Sequence, residues 1–255
     1  MSPGADSLEI DVLGPLRARV GGCEVSLGGP GRRALLAALV LGKGHVVSTG
    51  SIVDTLWDED PPASAVTKVQ GHVSELRKAL AVAGHPDPTA VLGTVAPGYV
   101  LRLEPAATDL ARFEADVTAA QVARRADDLA AAERLLAGAL ERWRGPAMAD
   151  VGASTVRAVA EGLDDRRLRV LEDHAEVGLA LGRSRDVLDA LGPLLAVHPF
   201  RDRLNELFMV ALIRTDRPSE AIATYRRCRE VYGRELGIEP SSRLRRIAAS
   251  IGYPS

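Results

Sequence analysis

Cysteine is scarce in this chain: Cys23 and Cys228 are the only two, and more than two hundred positions separate them. Neither belongs to a CxxC pair or to a Cys/His cluster of metal-ligand spacing, so a disulfide framework and a structural metal site are both excluded. Two structural thiols in a reducing cytosol are expected. Net charge is nearly absent too. Thirty-two basic side chains, 29 Arg and only three Lys, stand against 34 acidic ones, leaving −2. That balance excludes nucleic-acid binding through bulk charge, and it excludes a disordered acidic tail. No apolar run approaches the roughly 20 residues that span a bilayer. Met1–Ser7 shows neither the basic nor the apolar region of an export signal, so a cytoplasmic protein with no membrane partner is expected.

Catalytic and cofactor signatures are missing as well. Gly28-Gly-Pro-Gly-Arg-Arg33 is Gly-rich but lacks the Gly-Lys-Ser/Thr that a P-loop needs for phosphate and Mg²⁺. There is no G-x-S-x-G, and His45, His72, His85, His174 and His198 have no ligand-spaced partner. No enzymatic activity, cofactor or metal is expected.

What is present is an ordinary globular composition, 46% apolar and 26% charged, in 255 residues. At roughly 100–200 residues per domain that length suggests two domains. The texture changes near Leu103-Glu-Pro-Ala-Ala107, which places the boundary between residues 1–105 and 106–255. Leu8, Ile10 and Val12 alternate with charged residues; Leu16–Val20 and Cys23–Leu27 follow as further strands of a small antiparallel sheet. Pro30 opens a helix running to about Leu41, where Gly42 stops it. A second helix begins at a Ser48-Thr49 cap, turns Ile52, Val53, Leu56 and Trp57 inward, and ends at Asp58-Glu-Asp-Pro-Pro62.

The third helix, Ser64 to Ala81, is the informative one. Val69, Val73, Leu76 and Leu80 share one arc at 100° per residue, with Val66 at its edge. Thr67, Gly71, Ser74, Glu75 and Lys78 point the other way, flanked by Lys68, His72 and Arg77. Val91-Leu92 and Tyr99–Leu101, joined through a type II turn at Pro97-Gly98, close the domain as a hairpin. Sheet, three helices and hairpin make a winged helix-turn-helix.

A helix of about 16 residues, roughly 24 Å long, fits a major groove about 12 Å wide. Gly71 costs about 1 kcal/mol against Ala in a helix interior, and its bare backbone permits close approach to a base edge. Thr67, Lys68, Ser74 and Glu75 are placed for base edges, and His72, Arg77 and Lys78 for phosphates. The blander reading is a solvated face. Arg32-Arg33 stands at a helix start, where free N–H groups favour a phosphate, and Thr94 is a backbone-contact candidate in the hairpin. The leading sheet, the Leu76-Arg-Lys-Ala-Leu80 ending and Thr94 through Pro97-Gly98-Tyr99 resemble the winged helix of the PhoB/OmpR-like response regulators. That resemblance implies DNA contacts at Thr67, Lys68, Gly71, His72, Glu75 and Arg77. It also implies an RNA polymerase contact by the loop Asp58-Glu59-Asp60. Related wings often carry an Arg for the minor groove; this turn has Ala96-Pro97 instead.

Beyond residue 106 nearly everything reads as helix. Leu181–Leu188 and Thr215–Ile222 align residue by residue at an interval of 34, the tetratricopeptide period, pairing Arg183 with Arg217 and Asp186 with Glu220. Helices are expected at Leu110–Arg124, Leu129–Arg142, Leu171–Leu181, Val187–Leu195, Leu204–Ile213 and Ala221–Tyr232, with Trp143 and Tyr225 packing at their junctions. Such hairpins bury their faces by stacking. Asp109 with Phe113, Trp143-Arg-Gly145, Leu181-Gly-Arg183, His198-Pro199, Met209–Leu212, Ala221 with Tyr225-Arg-Arg227, and Glu235–Pro240 resemble the bacterial transcriptional activator domain. Together the halves resemble a short member of the Streptomyces antibiotic regulatory protein family, whose longer members add nucleotide-binding and sensor domains.

That resemblance implies a sequence-specific transcriptional activator of a secondary-metabolite gene cluster. Two copies would lie on direct repeats of double-stranded promoter DNA and hold RNA polymerase with its sigma factor. The rival is a helical-repeat scaffold or effector-binding protein whose winged domain is a protein-interaction module.

Overall fold

The structure, a computed structural model, describes residues 7–253. The stretch read for an export signal therefore lies almost wholly outside the described residues. The chain divides into two compact units: residues 1–118 with 138–167, and residues 119–137 with 168–255.

The first unit opens with β1 (Leu8–Asp11), β2 (Arg17–Val20) and β3 (Cys23–Glu24), an antiparallel sheet in which Ile10 faces Ala18 and Val20 faces Cys23. The third strand is shorter than expected, two residues instead of five. Helix α1 (Pro30–Leu41) has the predicted bounds, with Pro30 at the position where a missing N–H costs nothing. A strand that sequence reading missed, β4 (Val47–Ser48), precedes α2 (Thr49–Trp57). The Ser48 side chain accepts from the Ser51 amide and caps that helix. Of the four residues expected inside, only Ile52 is buried; Val53, Leu56 and Trp57 are half-exposed.

Helix α3 (Ala65–Val82) follows, buried through Ala65, Val69, Val73, Leu76 and Leu80. Then come a short α4 (Pro88–Val91), capped by the Asp87 carboxylate, and the hairpin β5 (Leu92–Val95) with β6 (Gly98–Leu101). The second sheet has the order β4-β6-β5. The hairpin turn differs from expectation. Val95 pairs with Gly98 and the Ala96–Pro97 peptide is cis, so Pro97 occupies the third position of a type VI turn, not the second of a type II. Gly98 is needed for packing, because a Cβ there would collide with the Val47 carbonyl of β4.

Leu35, Leu39, Ile52, Val69, Leu92 and Leu101 are fully buried in this unit, each such side chain contributing about 1.5–3 kcal/mol. The compact unit extends past the compositional break at Leu103–Ala107. Asp109 accepts from the Val12 and Leu13 amides at 2.7 and 2.9 Å, and the Arg144 and Met148 amides donate to Leu13 and Val12. Trp143 packs edge-on against Phe113, centroids 5.6 Å apart, in the packing role expected of it.

The helices beyond are α5 (Asp109–Arg125), α6 (Leu129–Glu141), α7 (Ser154–Ala180), α8 (Ser184–Val197), α9 (Asp202–Arg214), α10 (Pro218–Leu236) and α11 (Ser242–Ser250). Helix α7 is far longer than expected from Leu171–Leu181 alone. The 34-residue repeat is visible in the backbone. Gly182 and Asp216 both have positive φ, the following amides of Arg183 and Arg217 donate to the carbonyls five residues earlier, and α8 and α10 start 34 residues apart. The α5–α6 turn repeats this geometry at Asp127, with Asp128 donating to Ala123. Leu191, Leu204, Met209, Leu212, Ala221 and Tyr225 form the core of the second unit.

Candidate nucleic-acid interface

With its apolar arc buried, α3 presents Thr67, Lys68, Gln70, Gly71, Ser74, Glu75 and Lys78 to solvent, with His72 and Arg77 half-buried at the flanks. A Cβ built on Gly71 would meet nothing within 4 Å. No intramolecular packing therefore explains this glycine. Its absent side chain leaves a shallow gap in the middle of a polar row.

The N-terminus of α1 lies against one edge of that row. A Cβ on Gly31 would stand 2.6 Å from His72 Nε2. Burial, followed by the charges of Arg32 and Lys68, lowers the His72 pKa from its ordinary value. Arg32 folds back over Gly28, whose φ of +70° and missing side chain make room for the guanidinium. Arg32 also helps hold the Glu75 carboxyl below its usual range, after the larger effect of a hydrogen bond from Lys78. The structure thus brings Arg32, Lys68, His72 and Glu75 together, four residues from two helices.

Other expected contacts are engaged elsewhere. Arg33 does not stand free at the helix start. Its guanidinium donates to the Gly28 and Leu16 carbonyls at 3.2 Å and pairs with Asp150, which also accepts from the Leu16 amide. Its expected phosphate contact gives way to pinning the segment before α1. Arg77 donates from Nε and Nη2 to the Leu92 carbonyl at 3.0 and 2.7 Å, and from Nη2 to Thr94 Oγ1 at 2.9 Å. It clamps α3 to the wing, so Arg77 and Thr94 satisfy each other where sequence reading had two separate backbone contacts. Lys78 pairs with Glu75 at 2.8 Å, an exposed pair that a stronger partner opens at little cost. In the loop after α2, Glu59 and Asp60 are exposed, whereas the Asp58 carboxylate accepts a hydrogen bond from Ser154 Oγ. At the wing tip the Pro97 carbonyl accepts from the Thr49 amide and hydroxyl, tying the turn to the start of α2.

Sequence reading passed over Gln70 and set Val66 at the edge of the buried arc. Both are exposed on α3, Val66 at 52%. Gln70 lies three residues from Thr67 and four from Ser74, the spacing that puts all three on one face. Its amide carries the donor and acceptor that adenine's groove edge requires. Among the described residues no group of three or more His, Cys, Asp or Glu could hold a metal ion, and no helix is long and apolar enough to cross a membrane.

Two family profiles match. The C-terminal domain of transcriptional regulatory proteins covers residues 24–101, and the bacterial transcriptional activator domain covers residues 108–252. Regulatory protein AfsR of Streptomyces coelicolor is 39% identical over 246 residues, 96% of this chain and 24% of that protein. Transcriptional regulatory protein EmbR of Mycobacterium tuberculosis is 36% identical over 241 residues, 94% of this chain and 62% of that protein. The chain thus spans about a quarter of one relative and under two thirds of the other. Regulatory protein DnrI of Streptomyces peucetius is matched over most of its length: 35% identity over 249 residues, 96% of this chain and 92% of DnrI. Among solved structures, EmbR in complex with a low-affinity phosphopeptide superposes with a TM-score of 0.91 at 36% identity, covering 96% of this chain and 64% of that one.

Proposed function

The chain belongs to the Streptomyces antibiotic regulatory protein family of transcriptional regulators, and on that basis we propose that it activates a secondary-metabolite gene cluster by binding double-stranded promoter DNA. Residues 1–105 are the DNA-reading domain and residues 106–255 the activator domain. In this reading α3 enters the major groove. Thr67, Lys68, Gln70, Ser74 and Glu75 meet base edges, Gly71 admits the closest approach, and Arg32 and His72 face a phosphate. Two copies lie head to tail on direct repeats about one helical turn apart. The activator domain, with Glu59 and Asp60, holds RNA polymerase and its sigma factor at a weak promoter. Activation then needs no catalysis, only a contact that raises polymerase occupancy.

The observation that carries this reading is Gly71: a helix-interior glycine with open space around it, set in an exposed polar row that has Lys68 on it and Arg32 beside it. A net charge of −2 makes weak nonspecific binding the corollary. The test is selection of bound duplexes from random DNA by the full chain, followed by mobility shifts of the selected site across a salt series. Lys68→Ala is expected to weaken binding and relax the preference at the base it meets, and Arg32→Ala to weaken binding of all duplexes and reduce the slope of log affinity against log salt by about one. Retention of no duplex at low salt would leave the helical-repeat scaffold as the better account.

A further inference from the structure

In the second unit, α10, α11, Glu239 between them and Tyr253 three residues past α11 line a groove of about 450 Å³. Its wall includes Tyr225 and Arg229 from α10, Ser242, Arg245 and Arg246 from α11, and Tyr253. The two tyrosine rings meet edge-on with centroids 5.1 Å apart, and Tyr225 is only 4% exposed, so the rings form a firm apolar base. The Arg226 guanidinium stands 5.6 Å from the Tyr253 ring centroid.

The charges here are unequally spent. Among the described residues Glu239 is the only acidic one in the wall, and Arg229 holds it through contacts of 3.1–3.2 Å. The guanidiniums of Arg245 and Arg246 make no hydrogen bond or ion pair among the described residues. Elsewhere in the unit arginines are of both kinds, and Arg125 and Arg185, each exposed on its own helix, also make no ion pair among the described residues. Arg124, Arg203 and Arg217 each pair with a carboxylate, and Arg243, on the same helix as the two unpaired residues, reaches Glu206 at 3.0 Å. Arg229, Arg245 and Arg246 against Glu239 give the wall a charge of +2, in a chain whose total is −2.

We propose that this groove binds a phosphate-bearing small molecule of nucleotide size. A single carboxylate would use one guanidinium; two unpaired guanidiniums with the Ser242 hydroxyl fit the several oxygens and higher charge of a phosphate or diphosphate. The volume lies within the range of small-molecule sites, about 300–1,000 Å³, and the Tyr253 ring offers a surface for an aromatic base. The site shares no residue with α3 and stands whether or not α3 reads DNA.

Calorimetric titration of the full chain with ADP and, separately, with inorganic pyrophosphate tests this. Binding of either is expected to weaken about tenfold or more in the Arg245→Ser/Arg246→Ser variant and to persist in Arg125→Ser, an exposed arginine on another helix. Both targeted arginines are exposed, so far-ultraviolet circular dichroism should match the parent. Ser242→Glu supplies a second route, since an acid in the first turn favours α11 while placing negative charge in the groove; it too should weaken binding. Tighter binding of ADP than pyrophosphate assigns the base a role, and equal binding assigns recognition to phosphate alone. The proposal fails if neither ligand binds, if the arginine variant binds unchanged, or if an oligoglutamate peptide or duplex DNA displaces ADP at equal concentration.

Discussion

Gly31, in the first turn of α1, lies against the imidazole of His72 on α3, so close that a methyl group in its place would be 2.6 Å from Nε2. Contact between a bare backbone position and a ring fixes where the ring sits relative to Arg32 and Lys68, the two cations that act on it.

Gly31→Ala should therefore separate stability from recognition. The methyl meets the far end of a side chain that can turn outward, and Ala suits a helix, so unfolding free energy should change by less than about 0.5 kcal/mol. Affinity for the selected duplex should fall, because the displaced imidazole no longer faces the phosphate assigned to it. Urea denaturation and mobility shifts measure the two quantities; unchanged affinity would remove His72 from the interface.

His72 also sets a pH dependence. Burial and the neighbouring cations lower its pKa, so the free protein carries it neutral at pH 7. A phosphate nearby favours the imidazolium, and binding then takes up a proton. Affinity should rise as pH falls from 7 past the ordinary imidazole value of about 6.5. The rise should flatten in His72→Gln, and parallel pH profiles for the two proteins would count against the contact.

Asp109 gives a stability test of opposite character. Its carboxylate is 4% exposed and burial raises its pKa, against the lowering effect of the Val12 and Leu13 amides. A pKa raised by folding means the folded state binds the proton more tightly. The resulting stabilisation is complete below the unfolded value, near 4, and is lost as pH rises through the folded value. Asp109→Ala should cost about 2–3 kcal/mol at pH 7 by leaving two buried amides unpartnered, and the gap to the parent should widen as pH falls toward 5. A gap independent of pH would refute the shift.

Arg77 is predicted to act through the wing. Removing it frees the Leu92 carbonyl and Thr94, so Arg77→Ala should lower stability by about 1–2 kcal/mol. Arg77→Lys should restore little, since one ammonium cannot match a planar guanidinium that engages two acceptors. Amide exchange should accelerate in β5. Full stability in Arg77→Ala would show the clamp to be incidental.

The parts legible in the sequence are those that repeat at short range. Val69, Val73, Leu76 and Leu80 announce the buried arc of α3, and the 34-residue echo of Arg183 in Arg217 announces the hairpins. Two-residue β4 has no period to read; it exists because Gly98 lets β6 come close. The first half of α7 hides its apolar positions, Val156 and Ala160, among charged neighbours. Arg33 looked like an anion ligand because its partner, Asp150, is 117 residues away. Asp58 and Ser154 are likewise remote in sequence, and such pairings belong to the tertiary fold. At the site, the pattern on α3 was readable, while the approach of Gly31 to His72 and the Arg77–Thr94 bond were not.

Position 71 is a place where the fold exerts almost no selection. Open space surrounds it, and most side chains there would raise helix stability relative to glycine. A lineage of such proteins can therefore exchange residues at this one site without compensating changes elsewhere. A chain that keeps glycine there gives up about 1 kcal/mol of helix stability and keeps room that any other residue would begin to fill.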